Sequence, residues 1–150
     1  MMREGFARRS DGPWASPFHL VPKKTEGWWS FGDYRALNVD TIPDTYPVHY
    51  IQDFAHRIYS WHVFSVLDLV KAYTQIVVNP DDVPKTAIIT AFGLFEFPFM
   101  SFGVRNTGQT FQRFADEVFR GLDFCFFYLD DMLVFSRKAD EHHTHLRLLF

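Results

Sequence analysis

The stretch Phe124-Cys125-Phe126-Phe127-Tyr128-Leu129-Asp130-Asp131-Met132-Leu133-Val134-Phe135-Ser136 sets two adjacent carboxylates inside an otherwise apolar run. Asp is almost never fully buried without a partner, and an isolated buried carboxylate takes up a proton sooner than stay charged. Phe124 to Leu129 and Met132 to Phe135 are aromatic and branched and each is of strand length, which predicts a tight β-hairpin with Asp130-Asp131 at its tip. At a tip both carboxylates can leave the sheet together, whereas on a regular strand they point to opposite faces. A solvated Asp-Asp turn is the plainer reading of such a pair in isolation. The unbroken apolar flanks favour compensation by divalent cations, which carboxylate oxygens suit.

A metal site needs a further carboxylate, and Asp68 is the best candidate. It ends Trp61-His62-Val63-Phe64-Ser65-Val66-Leu67, which reads as a buried strand. A carboxylate at the C-terminal end of a strand is well placed to meet a hairpin tip on a neighbouring strand. Side by side, the two elements would gather Asp68, Asp130 and Asp131 around a pair of magnesium ions, which sit roughly 3.5–4 Å apart in phosphoryl-transfer sites.

The 150 residues suffice for one domain with a proper core, and 18 Phe predict a strongly aromatic interior. A formal net charge of −3 excludes a polycation that grips nucleic acid by bulk charge. Any such contact must be local, and the first 35 residues carry a net of +2. One cysteine, Cys125, rules out an intramolecular disulfide and reads as a core thiol. With no run of about 18 apolar residues and no signal peptide, the chain reads as intracellular and soluble, with cytoplasm and nucleus both open.

In chain order, residues 1–13 lack apolar periodicity and are expected to form a mobile arm. Phe18-His19-Leu20-Val21 and Trp28 to Tyr34 predict a hairpin whose loop carries Lys23 and Lys24. Val48, Ile51, Ala55, Ile58 and Tyr59 share one helical face. Thr86 to Ala91 and Phe95 to Met100 predict a second hairpin turning at Phe92-Gly93-Leu94. Phe111, Phe114, Ala115, Val118 and Leu122 define a long amphipathic helix, with Asn106 or Thr107 as its cap, Gly121 as its stop and Gln109, Gln112 and Arg113 on its polar face. Glu141-His142-His143-Thr144-His145 invites a zinc reading, but a helix start with exposed histidines is simpler, because Cys125 is already placed in a strand. Helices alternating with antiparallel hairpins give an α+β fold, a sheet covered by helices on one face.

Five segments in order then carry a resemblance: Pro22-Lys23-Lys24; Gly32-Asp33-Tyr34-Arg35-Ala36-Leu37-Asn38; Phe64 to Ile76 around Asp68; Phe102-Gly103-Val104-Arg105-Asn106; and Tyr128-Leu129-Asp130-Asp131. From about Pro13 to Phe150 the chain resembles reverse transcriptases, above all those in the Pol polyproteins of gypsy-type LTR retrotransposons. The resemblance implies the palm of a right-hand polymerase (about 48–75 and 107–150) interleaved with fingers (about 14–47 and 76–106), within a domain spanning 14–150 and without a thumb. It implies an RNA-directed DNA polymerase that joins a deoxynucleoside triphosphate to a primer 3′-hydroxyl on an RNA or DNA template. Asp68, Asp130 and Asp131, with the Leu69 backbone, would hold two Mg2+ ions, Mn2+ being the alternative. Lys23, Lys24, Arg35, Tyr73, Phe102, Gly103 and Leu129 would bind the nucleotide, with Tyr73 blocking a ribose 2′-hydroxyl. Gln109, Gln112, Arg113 and Tyr128 would meet template and primer. Thumb, ribonuclease H and integrase domains are the expected companions in the full polyprotein, and no membrane is. Three positions depart from the pattern: Trp29 stands where an Arg contacts the triphosphate, Ser101 where Pro is usual, and Thr107-Gly108 where a small residue and Pro open the helix. These departures sustain a second expectation, a truncated or decayed retroelement fragment that folds, at most binds nucleic acid and catalyses nothing.

Overall fold

The structure, a computed structural model, describes residues 5–24, 27–50, 52, 54 and 58–150. Of the helix expected over Val48, Ile51, Ala55, Ile58 and Tyr59, Ile51 and Ala55 lie outside these residues, Gln52 and Phe54 are helical, and Val48, Ile58 and Tyr59 are not, with Tyr59 exposed. The chain forms two compact units, residues 1–44 with 73–107 and residues 45–72 with 108–150.

The first unit is built on a five-stranded sheet. Strands β2 (Ser16–Pro22) and β3 (Trp28–Gly32) pair antiparallel from Phe18↔Gly32 to Pro22↔Trp28, so Lys23 and Lys24 enter the connecting loop as expected. β5 (Ile88–Thr90) and β6 (Gly93–Glu96) form the second hairpin, but Thr90 faces Gly93, so the turn is Ala91-Phe92. Gly93 has φ +126, a conformation closed to most side chains, and the Thr90 hydroxyl donates to its carbonyl while accepting from the Phe92 N–H. β2 and β5 run parallel through Ser16↔Ile88 and Pro17↔Ile89, a pairing that no local pattern announces. A six-residue helix, α1 (Arg35–Asp40), follows β3 and had no counterpart in the periodicity.

The described residues of the expected N-terminal arm include a strand. Arg8–Arg9 form β1, an edge strand antiparallel to β6. Arg8 Nε donates to Glu96 Oε1 at 2.7 Å and Ser10 Oγ to Oε2 at 2.7 Å, which lets Glu96 lie buried with both oxygens satisfied.

The second unit holds a three-stranded antiparallel sheet in the order β4 (Val63–Asp68), β8 (Asp131–Ser136), β7 (Cys125–Tyr128). Alternation gives it two faces. Phe127, Met132 and Val134, with Leu67, meet Ala115 and Phe119 from the region of α2 (Thr107–Val118) and Leu146 and Leu149 from α3 (Ala139–Leu149). Each fully buried Phe or Val of this core contributes about 1.5–3 kcal/mol. On the opposite face Phe54 stacks on Phe126 at 4.1 Å and Trp61 sets its edge against Phe135 at 5.0 Å, while Phe64 and Val66 stay exposed. α2 ends as its sequence predicts: Gly121 has φ +87, and the Leu122 N–H reaches the Phe119 carbonyl.

Three helix expectations are corrected. Asn106 does not cap α2: its amide donates to the Ile42 carbonyl and its oxygen accepts the Asp44 N–H, tying down the chain after α1. Gln112 is fully buried, not on a polar face, because Asp116 one turn on accepts its Nε2 at 3.0 Å. His142 is buried instead of exposed at a helix start. Its ring lies between Ser65 Oγ and Ser136 Oγ, 2.8 Å from each, and so pins α3 to β4 and β8. Among the described residues, no helix is long and apolar enough to cross a membrane.

Candidate active site

The three carboxylates are positioned by strand register. Tyr128 pairs with Asp131, so the hairpin turns through Leu129-Asp130, one residue earlier than the expected Asp130-Asp131 tip. Leu129 takes φ 56, and the positive value is confined to this first turn residue. A turn of that kind ordinarily uses Gly there, and Leu costs roughly 1–2 kcal/mol in this conformation. Local propensity therefore argues against the observed turn, and the pairing of the flanking strands overrides it.

Asp131 thus becomes the first residue of β8, and Asp68, the last of β4, lies directly opposite it. The next link is a backbone bond, Leu69 N–H to the Asp130 carbonyl at 3.1 Å. Because antiparallel pairs alternate between bonded and non-bonded, that bond makes Asp68↔Asp131 a non-hydrogen-bonded pair, the kind whose side chains lie closest. Both side chains share one face, together with Tyr128. The partner of Asp68 across the ladder is therefore Asp131, with Asp130 beside it in the turn.

Asp68 and Asp131 are exposed and Asp130 is half-buried. Like charges directly opposed across a ladder are destabilising, and among the described residues none of the three is ion-paired with a basic side chain. This donor set of hard oxygens with uncompensated charge fits Mg2+ or Mn2+. The side chains do not converge on one point, since no group of three His, Cys, Asp or Glu among the described residues is arranged to hold a metal ion. In the same unit Gly108 opens α2 against the turn: a Cβ there would stand 3.3 Å from Leu129 Cδ2, so the glycine leaves room for the strained residue. Arg113 is exposed with its guanidinium 4.7 Å from the centre of the Tyr46 ring, Gln109 is half-buried, and the buried Gln112 presents no surface to a strand.

Asp116 is a residue the sequence did not single out. It accepts from Tyr46 Oη at 2.8 Å and from Gln112 Nε2, with His49 Nε2 at 3.0 Å. Burial pushes its carboxyl up, but these donors outweigh it and the net shift is below the usual carboxylate range. Its partners Tyr46 and His49 lie too far away along the chain to leave a spacing signal.

In the first unit Tyr73 is buried, and its ring meets the exposed Phe102 edge-on at 4.7 Å. Gly103 has φ 89, and its carbonyl accepts from Asn38 Nδ2 at 2.7 Å. Asn38 also takes the Arg105 N–H on its side-chain oxygen and Arg105 Nη1 on its carbonyl, clamping the loop of Phe102 and Gly103. Arg35 grips Asp33 through Nε and Nη2, at 2.8 and 2.6 Å, and this holds the Asp33 carboxyl well below the usual range. Lys24 is exposed, while the Lys23 ammonium lies 4.4 Å over the Trp29 ring.

Residues 21–150 match the family of reverse transcriptases (RNA-dependent DNA polymerases). The chain belongs to the reverse transcriptase family. Among its relatives are the Pol polyproteins of the Drosophila melanogaster transposons 297 and gypsy, 36% and 35% identical over 100% and 97% of this chain. The chain spans only about 15% of the length of these relatives. A shorter relative, an RNA-directed DNA polymerase homolog of Oenothera berteroana, is 38% identical over 78% of this chain and 86% of its own. Among solved structures, the protease-reverse transcriptase of prototype foamy virus matches with a TM-score of 0.89 at 20% identity over 99% of this chain and 20% of that one. The foamy viral enzyme bound to RNA/DNA hybrid matches at 0.84 and 18%, over 99% and 20%. The mixed α+β fold of this reverse transcriptase domain is therefore that of the foamy viral enzyme over the matched region.

Proposed function

We propose that this domain carries the catalytic carboxylates of an RNA-directed DNA polymerase. In this reading the unit of residues 45–72 and 108–150 serves as palm, and that of 1–44 and 73–107 as fingers. The observation that carries it is register: Asp68 opposite Asp131, with Asp130 in the adjoining turn. Asp68, Asp130 and Asp131 would hold Mg2+, or Mn2+, and the Leu69 carbonyl would add a backbone oxygen. When bound, such ions supply the positive charge that offsets the charge developing between the attacking and leaving oxygens.

This chain's own residues bind and orient. Lys23, Lys24 and Arg35 face the triphosphate; Arg35 brings a guanidinium already braced by Asp33, and the lysines act as point charges. Tyr73, held by Phe102, closes the sugar side against a 2′-hydroxyl, and Gly103 lets backbone approach the nucleotide. Leu129 borders the nucleotide and Tyr128 the primer end, and Gln109 and Arg113 meet the template. In the reaction the primer 3′-oxygen bonds to the α-phosphorus as the bond to pyrophosphate breaks.

The test is single-nucleotide incorporation on a primed template, comparing the natural chain with Asp68→Asn and Asp130→Asn. Incorporation that either variant removes supports the polymerase. The departures at Trp29 and Gly108 favour a second reading, a catalytically silent binding module. That reading predicts no incorporation by any of the three proteins and nucleic-acid binding by all.

A further inference from the structure

Among the described residues β4 is an edge strand, bonded on one side only, to β8. Its alternation pins it weakly. Phe64 and Val66 point away from the helices and stay exposed, and on the helix-facing side Leu67 is the β4 side chain that joins the core. Moving the strand by one residue would turn Asp68 inward, where an unpaired carboxylate is costly. Moving it by two residues, about 6.6 Å, keeps every side chain on its face and restores the ladder of backbone bonds, so neither pattern excludes it. Such a slide would set Asp68 opposite Leu133 or Leu129 in place of Asp131.

A polar bridge opposes the slide. Ser65 and Ser136 lie diagonally across the β4–β8 ladder, since Val63 pairs with Ser136 and Ser65 with Val134. The His142 ring spans them, with Nε2 2.8 Å from Ser65 Oγ and Nδ1 2.8 Å from Ser136 Oγ. His142 is 7% exposed and Ser136 fully buried, so a bond broken here is not readily replaced by water. The ring is anchored without β4: His145 brings Nδ1 to 2.7 Å from the same Ser136 Oγ and lies flat on Phe124 at 4.0 Å. With both rings neutral, each of these bonds receives one hydrogen. Ser65 donates to Nε2, Nδ1–H to Ser136, and Ser136 to His145, whose Nε2–H faces Glu141 Oε1 at 4.0 Å. The bond to Ser65 is therefore the polar link from an anchored ring to β4. Burial is non-directional, whereas a hydrogen bond holds at one distance, so a buried polar contact specifies register where apolar packing does not. We propose that His142 is a positioning residue for the carboxylates: through Ser65 and Ser136 it fixes the register that sets Asp68 opposite Asp131. The inference rests on the polymerase reading only for the use made of those carboxylates.

The test is the pattern of cross-strand nuclear Overhauser contacts in the full 150-residue chain. Val66 and Leu133 form a non-hydrogen-bonded pair, as Asp68 and Asp131 do, and the facing Hα atoms of such pairs lie close. Ser65→Ala cuts the link to β4 and leaves Ser136 and His145 in place around the ring. It should weaken the Val66–Leu133 contact and bring up an Asp68–Leu133 or Val66–Asp131 contact from the slid strand. Ser65→Thr, which keeps the hydroxyl, should restore the parent pattern. Leu67→Ala, which removes an apolar contact of the same strand, should lower the urea midpoint without moving the pairing. Mn2+ binding, followed by the EPR signal of the free ion, should weaken about tenfold in Ser65→Ala, the scale for losing a group that orients metal ligands, and recover in Ser65→Thr. Parent pairing retained in Ser65→Ala, a slide in Leu67→Ala as large as in Ser65→Ala, or parent-level Mn2+ binding by a slid Ser65→Ala would each overturn the proposal. Nucleotide incorporation is read separately. Its absence in the parent while Ser65→Ala slides defeats the polymerase reading and leaves the register lock standing; incorporation by a Ser65→Ala chain that keeps the parent pairing does the reverse.

Discussion

At Gly32 the sequence motif Gly32-Asp33-Tyr34-Arg35 has a packing cause. A Cβ at this position would lie 2.8 Å from Tyr34 Cζ and 2.9 Å from Ile88 Cδ1. Tyr34 cannot retreat easily: it is 2% exposed, its hydroxyl donates to the Thr86 carbonyl at 2.9 Å, and burial pushes its phenol up to about 12. Gly32→Ala should therefore destabilise the first unit by about 1–3 kcal/mol, as over-packing does, and urea melts read this as a lower midpoint. Asp131 makes the opposite case. Opposed to Asp68 across a non-bonded pair, it costs stability in the absence of a cation, so Asp131→Asn should raise stability by about 0.2–1 kcal/mol while lowering nucleotide incorporation. A melt of the variant below that of the parent would show that Asp131 has a stabilising contact that the register does not reveal. A residue that destabilises the fold at the place where charge is needed is what a reactive site looks like in stability terms.

The strands carrying the candidate site were legible because aromatic and branched apolar runs of strand length are local signals. Asp68 at the end of β4 and a hairpin bearing Asp130 and Asp131 could both be read from them. The turn position was not, because sequence propensity rejects Leu129 at positive φ and only the Tyr128↔Asp131 pairing imposes it. The parallel β2–β5 contact, the Asn38 clamp and the three donors around Asp116 were out of reach for a different reason: several of their partners are more than 60 residues apart in sequence. The docking of β1 belongs with these. Ser10 and then Arg8 hold the Glu96 carboxyl below its usual range, against the upward pull of burial. A carboxylate depressed in the folded state contributes stability above its unfolded value, near pH 4, and loses it as pH falls through the folded value. Hydrogen exchange at Arg8 to Ser10 should accelerate relative to the other strands of the sheet below about pH 4, and Glu96→Gln should speed tryptic cleavage after Arg8 and Arg9 at neutral pH. Equal protection of β1 in the variant would mean that its backbone pairing alone holds it. On α3, Ser136→Ala leaves His142 Nδ1 and His145 Nδ1 without their shared hydroxyl, which should cost about 1–3 kcal/mol in a denaturant melt.

Charge sets the expectation for the chain taken whole. A formal net charge of −3 gives no general attraction to a polyanion. Several of its cations are also committed internally, Arg8 to Glu96, Arg35 to Asp33 and Lys85 to Asp82. Each phosphate contact adds about 0.9 to the slope of log affinity against log salt on duplex DNA. A chain that can recruit only a few cations should show a slope shallower than about −4, and micromolar or weaker binding to a primed template at physiological salt. If the proposed polymerase reading holds, such weak retention should limit extension to one or a few nucleotides per encounter even with the carboxylates of Asp68, Asp130 and Asp131 intact. Anisotropy titrations of a labelled primer–template across roughly 50–200 mM salt, paired with extension under a trap that captures released chain, measure both quantities on the same protein. A steep slope with long products under the trap would show that cations now ion-paired are released to the backbone on binding. A shallow slope with short products places the limit on duplex retention, and joining the chain to a duplex-binding segment should then lengthen the products without changing the rate of the first addition.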